Sequence, residues 1–511
     1  MIKRFSVMTL AGLLALPGTS FAVNSKVADM ERKIEELSRQ LEELKSAMAE
    51  QAEKNEDQDD ELEDLDNRSE EWDLASRIKF YGDYRGRLDY YKADTKFGSD
   101  YNNDTLWTNR FRLNLRARAT ENVEFKGRLA MYKVWGNQSG FYDDSGSIWP
   151  VFDGNASRRP ADSALYVDRA FINWTNIGGL PIWFSIGRRP TTDGPPADIR
   201  MGTDERMATP MEFMDWPFDG ISTGIAWTWG QEWMGDSRIR FCYGRGFEAG
   251  LWGDNPGSEI DDMDFAGLSW DIMKKGDRFA YIQSFMAYNV IRYPDFQSPF
   301  VNYVAGSPAG SWPGITSYGM NENLGNIWHT AAVYEDKISD FKYFIAGGYS
   351  QTRPDSGGSG MFTELPYFAG APGYSANTDN KGGYSLYTGV RYDIDNIGLK
   401  LGGEFNWGSK YWLAMSPGHD DIYMSKLATR GRVYELYMIY DLPTGDAISR
   451  YARTFIRLGY QHYDYDYTGS GDWNLYPYDL SDSSDMALLK YAGMDPVDSA
   501  DQVYMTFEVY F

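Results

Sequence analysis

From Ile78 onward the chain alternates apolar and polar residues with a period of two. Ile78, Phe80, Tyr84, Leu88 and Tyr90 fall on one face of an extended segment, and Lys79, Asp83, Arg85, Arg87 and Asp89 on the other. That period is the one a half-buried β-strand requires. After this strand, Ile78–Tyr90, the same alternation predicts strands at Trp107–Ala119, Val123–Trp135, Leu165–Thr175, Ile182–Arg188, Phe218–Trp229, Arg238–Arg245 and Met263–Ile272. The second half continues with Arg278–Val290, Ile327–Tyr334, Ile338–Ser350, Tyr384–Tyr392, Leu399–Trp407, Gly431–Tyr440, Arg453–Tyr463 and Gln502–Phe511, sixteen in all. Short connections (120–122, 176–181, 273–277, 335–337, 393–397) alternate with long ones (136–164, 292–323, 351–382, 464–501).

The N-terminal region has other periods. Lys3 and Arg4 precede an apolar run from Phe5 to Leu16 and then Ser20-Phe21-Ala22, the layout of a secretory signal peptide cut after Ala22. The run is too short to span a membrane, which takes about 20 apolar residues. Val27, Met30, Ile34, Leu37, Leu41, Leu44 and Met48 follow at steps of three and four, and Leu62 and Leu65 resume the phase. This is a heptad seam, and a helix from Val27 to Asp66 would be roughly 60 Å long. Polar Gln51, Asn55 and Gln58 interrupt it. Residues 50–73 hold thirteen acids against Lys54 and Arg68, a solvated coil face or linker before an acidic docking site. The expected organisation is a signal peptide over 1–22, an acidic coiled-coil segment and linker over 23–74, and a strand-built domain over 75–511.

Composition narrows the class. The 511 residues carry a net charge of -24, 37 Tyr, 17 Trp and one Cys, with a mean hydropathy of -0.52. Strong acidity argues against a nucleic-acid partner. One Cys excludes a disulfide framework and any multi-Cys metal or haem-attachment site. No run after Ala75 is long and apolar enough for a transmembrane helix. An exported chain of amphipathic strands with aromatic strand ends and asymmetric connections then reads as an all-β transmembrane barrel of about 16 antiparallel strands, since only closure satisfies every backbone group in lipid. A secreted sandwich or propeller would need large apolar residues on the second face as well, and these are scarce. Val503, Met505, Phe507, Val509 and Phe511 alternate with polar residues to the end of the sequence; this closing strand looks like the signature by which outer-membrane barrels are recognised for assembly.

Arg110, Arg112, Arg116 and Arg118 share one face of the second strand, opposite Phe111, Leu113, Leu115 and Ala117. Each would cost about 2 to 4 kcal/mol facing lipid, so they must face the lumen. Arg85, Arg87, Lys126 and Arg128 have the same parity and complete a basic wall, hydrated and neutralised by Asp83, Asp89 and Glu124 or able to sort solutes by charge.

The segment Phe80-Tyr81-Gly82-Asp83-Tyr84-Arg85-Gly86-Arg87, the block TNRFRLNLRARATENVEFKGRLAMYKV (108–134) and the run Ile186 to Pro196 resemble Gram-negative outer-membrane porins. With the coil ahead of the barrel, the chain is similar to a porin family that has an N-terminal coiled coil and no assigned substrate. The resemblance implies a passive diffusion channel, a homotrimer in the outer membrane with its coil in the periplasm. By position, residues 190–217 resemble the porin constriction loop that folds into the barrel, although an extracellular lid would look similar in sequence. They carry Asp193, Asp198, Asp204, Glu205, Glu212 and Asp215, with Met201, Met207, Met211 and Met214 between them.

No catalytic residue, cofactor or metal is expected. His329, His419 and His462 are isolated, no Walker-type loop is present, and Gly347-Gly348 and Gly402-Gly403 read as strand packing. Asp261-Asp262 and Asp420-Asp421 are solvated before they are Ca²⁺ ligands. The function expected is a porin for small hydrophilic solutes, with anions favoured by the arginines. The alternatives are an envelope tether anchored by a barrel, its coil open to a periplasmic envelope partner, and a sheath around an electron-transfer cytochrome, which would have to be a separate partner because the chain has no haem-attachment motif.

Overall fold

The computed structural model describes residues 29–51, 54, 77–136, 160, 163–201, 214–248, 261–291, 323–355, 361–364, 377–416, 425–449, 452–471, 473, 476–491 and 494–511. The chain divides into two units, Met1–Ser76 and Arg77–Phe511. The described part of the first is a helix, α1, over 29–51, with Met30, Ile34, Leu37, Leu41, Leu44 and Met48 between 56% and 67% exposed along one stripe. Of the coiled coil expected there, the structure shows one helix. The continuation of the seam at Leu62 and Leu65, and the signal peptide, lie outside the described residues.

The second unit is one closed antiparallel sheet of sixteen strands. They are β1 (Ile78–Thr95), β2 (Asp100–Arg118), β3 (Val123–Val134), β4 (Tyr166–Trp174), β5 (Ile182–Arg189), β6 (Phe218–Thr228), β7 (Asp236–Phe247) and β8 (Met263–Lys275). The circuit continues with β9 (Arg278–Ile291), β10 (Asn323–Ile338), β11 (Phe341–Pro354), β12 (Lys381–Ile394), β13 (Leu399–Gly408), β14 (Gly431–Asp441), β15 (Arg453–Tyr465) and β16 (Val497–Tyr510). Each strand pairs with its sequence neighbours, and β1 pairs with β16 in the register Tyr84↔Val509 and Leu88↔Met505. Phe511 completes the seam: its N–H donates to the Gly82 carbonyl at 3.0 Å and its carbonyl accepts from the Gly82 N–H at 2.8 Å. Closure leaves no unpaired sheet edge.

Three connections depart most from the sequence reading. The turn expected at 335–337 lies at 339–340 instead: β10 runs on to Ile338, paired with Phe341, and Ser339 takes the left-handed conformation (φ 55°). The connections expected over 91–106 and 464–501 are partly strand. There β1 and β2, and β15 and β16, extend as hairpins on the long-loop side, with α3 (Ser483–Tyr491) between the latter two. Apolar Tyr91, Ala93, Tyr463, Tyr465 and Ala500 pack together in these extensions, so burial lengthens the pairing beyond the point where the alternation weakens.

The outward face is apolar. Phe80, Leu129, Ile172, Ile186, Leu268, Ile345, Val390, Leu436, Met505 and Phe507 are all exposed. Aromatic pairs sit toward both rims, Trp107 against Trp135 at 5.0 Å and Phe341 against Tyr392 at 4.6 Å. Inward positions hold the buried Asp83, Arg85, Arg87, Asp89, Arg110, Arg112 and Glu508. Such an inversion of the usual soluble arrangement suits a wall with lipid outside and a polar interior.

The interior is not polar all round, and here the expected scarcity of large apolar residues on the inner face is corrected. On β8 to β11, Phe265, Phe279, Phe285, Ile327, Val333 and Phe344 point inward and are buried. They are covered by loop residues that fold into the barrel, among them Met361, Phe362, Trp412, Leu413, Met415, Leu427 and Trp473. Trp412 shows how tight this is: its indole N–H donates to the Leu427 carbonyl at 2.7 Å, and a Cβ at Gly348 would lie 2.2 Å from its ring.

Candidate functional site

The loop after β5 enters the barrel. Its described residues from Thr192 to Ala197, together with Ile199, Arg200, Met201 and Met214 to Pro217, are buried. Asp193 takes a left-handed conformation (φ 57°), one that Asp tolerates better than most residues. This aims its carboxylate at the wall: Oδ2 lies 2.8 Å from Nη1 of Arg112, 3.0 Å from Nη1 of Arg128 and 3.5 Å from Nη2 of Arg169. One carboxylate thus meets guanidinium groups from β2, β3 and β4. The Asp193 N–H donates to Asp215 at 2.8 Å, which ties the outgoing limb of the loop to the returning one.

Beyond Asp193 the chain forms a single helical turn, α2 (Ala197–Met201). Arg200 is fully buried and its Nε lies 2.9 Å from Glu435 on β14. Cations from the wall meet the carbonyl end of this turn. Arg391 donates to the Ile199 carbonyl, Arg457 to the Arg200 carbonyl at 3.4 Å and Arg453 to the Met201 carbonyl at 3.5 Å. Cations there satisfy carbonyls that a helix end leaves without partners. Tyr504 links this side to the arginine wall. Its hydroxyl donates to Glu435 at 2.6 Å and the Arg87 guanidinium lies 4.5 Å from its ring. The ring rests over Gly459, where a Cβ would stand 2.1 Å from it, so only glycine lets the phenol lie flat enough to reach Glu435.

The expected wall residues are placed as follows. Arg110 and Arg112 both reach Asp83, at 3.1 and 2.7 Å. Arg87 holds Asp89 at 2.7 Å, and Arg85 donates to the Tyr132 hydroxyl at 3.0 Å. Arg128 donates to Asn114 at 2.7 Å as well as to Asp193. Arg116 and Lys126 share Glu124, each at 2.6 Å, nearer the short-turn rim, and Arg118 is exposed beyond them. The wall is therefore a lattice of ion pairs, with cations and carboxylates interleaved. Of the loop acids, Asp193 and Asp215 are buried and Asp198 is half-buried; Asp204, Glu205 and Glu212 lie outside the described residues.

Several members of the lattice were not singled out from sequence: Asp168, Arg169, Arg200, Glu435, Lys426, Arg457 and Glu508. Lys426, from the loop before β14, is buried and bonded to both Glu404 and Glu435. Arg457 holds Glu508 at 2.8 Å. Strand parity could have found Glu435, Arg457 and Glu508, because each alternates with apolar residues that face outward. No signal in the sequence marks Lys426, which reaches the lattice only because its loop folds inward.

His329 is buried in the apolar half, its Nε2 2.7 Å from the Leu413 carbonyl, and His462 lies 2.8 Å from Asp501; His419 is outside the described residues. Among the described residues no group of three His, Cys, Asp or Glu side chains is arranged to hold a metal ion, and no helix is long and apolar enough to cross a membrane.

These features define a closed sixteen-stranded antiparallel barrel with an apolar exterior, an ion-paired inner wall and a loop pinned across it. By sequence the chain belongs to the family of proteins of unknown function DUF3373, whose profile matches residues 100–511. No curated protein matches it. Among solved structures it is similar to OmpT of Vibrio cholerae, an outer-membrane protein in a trimer form. The identity is 11% and the TM-score 0.39, over 85% of this chain and 99% of that one. It is also similar to OmpF of Salmonella typhi in complex with daunomycin, with 10% identity and a TM-score of 0.40, over 85% and 97%.

Proposed function

We propose that the protein is an outer-membrane channel that lets small hydrophilic solutes diffuse through a barrel narrowed by the loop over 190–217. The observation that carries this reading is the inversion of the wall. Apolar side chains face out from every part of the barrel, whereas ionised groups line the inside of β1 to β4 and β14 to β16. An inner wall of ion pairs suits water and polar solutes, and an apolar exterior suits lipid.

The lattice also bears on selectivity. Arg110, Arg112 and Arg128 alone would favour anions, but Asp83, Asp193 and Glu508 stand among them. The anion preference is accordingly weak, and the interleaved charges set up local fields that act on dipolar solutes. The open stripe of α1 supports a homotrimer joined through a periplasmic coiled coil, with a periplasmic envelope partner for its acidic continuation. Loops that fold into the barrel occupy space a sheathed cytochrome would need, which weighs against that alternative. Single-channel recording of the purified protein in planar bilayers tests the reading. Discrete ohmic conductance with a reversal potential near zero in a KCl gradient is expected, and a bilayer that stays silent overturns it.

A further inference from the structure

A cavity of about 70 Å³ opens behind the root of the in-folded loop, between Pro190, Thr191 and Met214 on one side and the inner faces of β6 to β9 on the other. Its lining is mixed: Arg189, Arg240, Cys242 and Gln283 contribute polar groups, and Phe218, Phe265 and Phe285 contribute rings.

Arg189 stands beside Arg238 and Arg240 here. Arg238 and Arg240 share one carboxylate, Asp271, at 2.5 and 3.1 Å. The nearby Asp264 is held by Arg245 at 2.7 Å. Arg189 has Trp183 5.7 Å below its guanidinium, but its Nη1 is shielded from solvent without a hydrogen-bond partner among the described residues. A buried guanidinium nitrogen left in that state costs free energy that an anion would recover. Gln283 adds a second donor, since its carbonyl oxygen is engaged by the Tyr281 hydroxyl.

We propose that this cavity binds a short-chain monocarboxylate, with the carboxylate on Arg189 and the apolar tail against Phe218, Phe265 and Phe285. The volume holds on the order of five waters, which matches a ligand the size of butyrate. The three rings offer nothing to the remaining oxygens of a phosphate or sulfate. The proposal rests on the channel reading only for the entry of solute into the lumen, and it names one class of solute that pauses there.

Cys242 provides the test, because it lines the cavity and is the one cysteine in the chain. The full chain in detergent micelles is treated with methyl methanethiosulfonate and the modification of Cys242 is followed by intact mass. Butyrate at ten times its dissociation constant is expected to slow labelling about ten-fold, while butylamine, butanol and chloride leave the rate unchanged. Arg189→Gln should remove the protection, and Asp271→Asn, which removes the carboxylate that Arg238 and Arg240 both reach, should strengthen it. Equal protection by butanol or butylamine overturns the proposal. So does protection that survives Arg189→Gln, an unprotected wild type, or a thiol that never reacts. Bilayer conductance of the same preparation reads the channel separately, so a silent bilayer with protected Cys242 counts against the channel alone, and a conducting protein without protection counts against the site alone.

Discussion

The two sides of the barrel interior hold their loops by different dominant means. On β1 to β4 and β14 to β16 the wall is charged, and the loop after β5 is fixed to it by carboxylate–guanidinium contacts at Asp193 and Arg200. On β8 to β11 the wall is largely aromatic and aliphatic, and Trp412, Leu413 and Met415 are held to it mainly by burial, with His329 and Ser350 bonding the Leu413 backbone. The charged side carries groups that water can solvate if a contact opens. The apolar side loses area to water whenever its loops leave. On the channel reading proposed above, solutes would move along the charged side while the apolar side keeps the interior in shape.

The largest effect should come from breaking the apolar side. Trp412→Ala removes a fully buried indole, a change that costs about 3 to 5 kcal/mol in a packed core. The loop over 409–430 should detach, with single-channel conductance rising and the melting temperature falling. If conductance is unchanged, the apolar side does not limit the lumen.

Asp193→Asn should come next. It leaves three guanidinium groups facing a neutral amide, and losing one partner of a buried pair costs about 3 kcal/mol or more. The reversal potential in a KCl gradient should move toward anion preference. A shift toward cations, or none, would show that the loop does not set the field.

Replacing Arg112 and Arg116 with Ser should act unequally. Arg112 is buried and bridges Asp83 to Asp193, whereas the Arg116 side chain is 32% exposed and pairs with Glu124 near the rim. Arg112→Ser is expected to move the reversal potential toward cation preference, and Arg116→Ser to move it by less than half as much. Equal shifts would contradict a field concentrated at Asp193.

The smallest effect on conduction should follow from Leu37→Glu on α1, whose seam is exposed in the single chain. Native mass measurement should show fewer trimers while single-channel conductance per barrel stays the same. A trimer unaffected by this change would mean that the barrel walls, not the helix, hold the copies together.

Much of the barrel was legible because a strand in a wall with different solvents on its two sides must alternate. The sixteen strands, the inward parity of Arg110 and Arg112 and the outward run of Val503, Met505 and Phe507 all follow from that one requirement. Alternation becomes a poor guide where both faces of a strand are apolar. The inner faces of β8 to β11 for that reason do not announce a lining for loops, and the hairpin between β10 and β11 turns at 339–340, after the polar run Glu335-Asp336-Lys337 rather than on it.

Local sequence determined the strands, which residues face inward and the heptad stripe of α1, because each depends on a period the chain carries within a few residues. Tertiary structure alone decided that Asp193 meets Arg112, Arg128 and Arg169, that Lys426 joins Glu404 and Glu435, and that Trp412 sits over Gly348. Each of these contacts joins a loop to strands far away in sequence, and its partner is chosen by which loop the closed barrel can admit and by the charge or cavity waiting there.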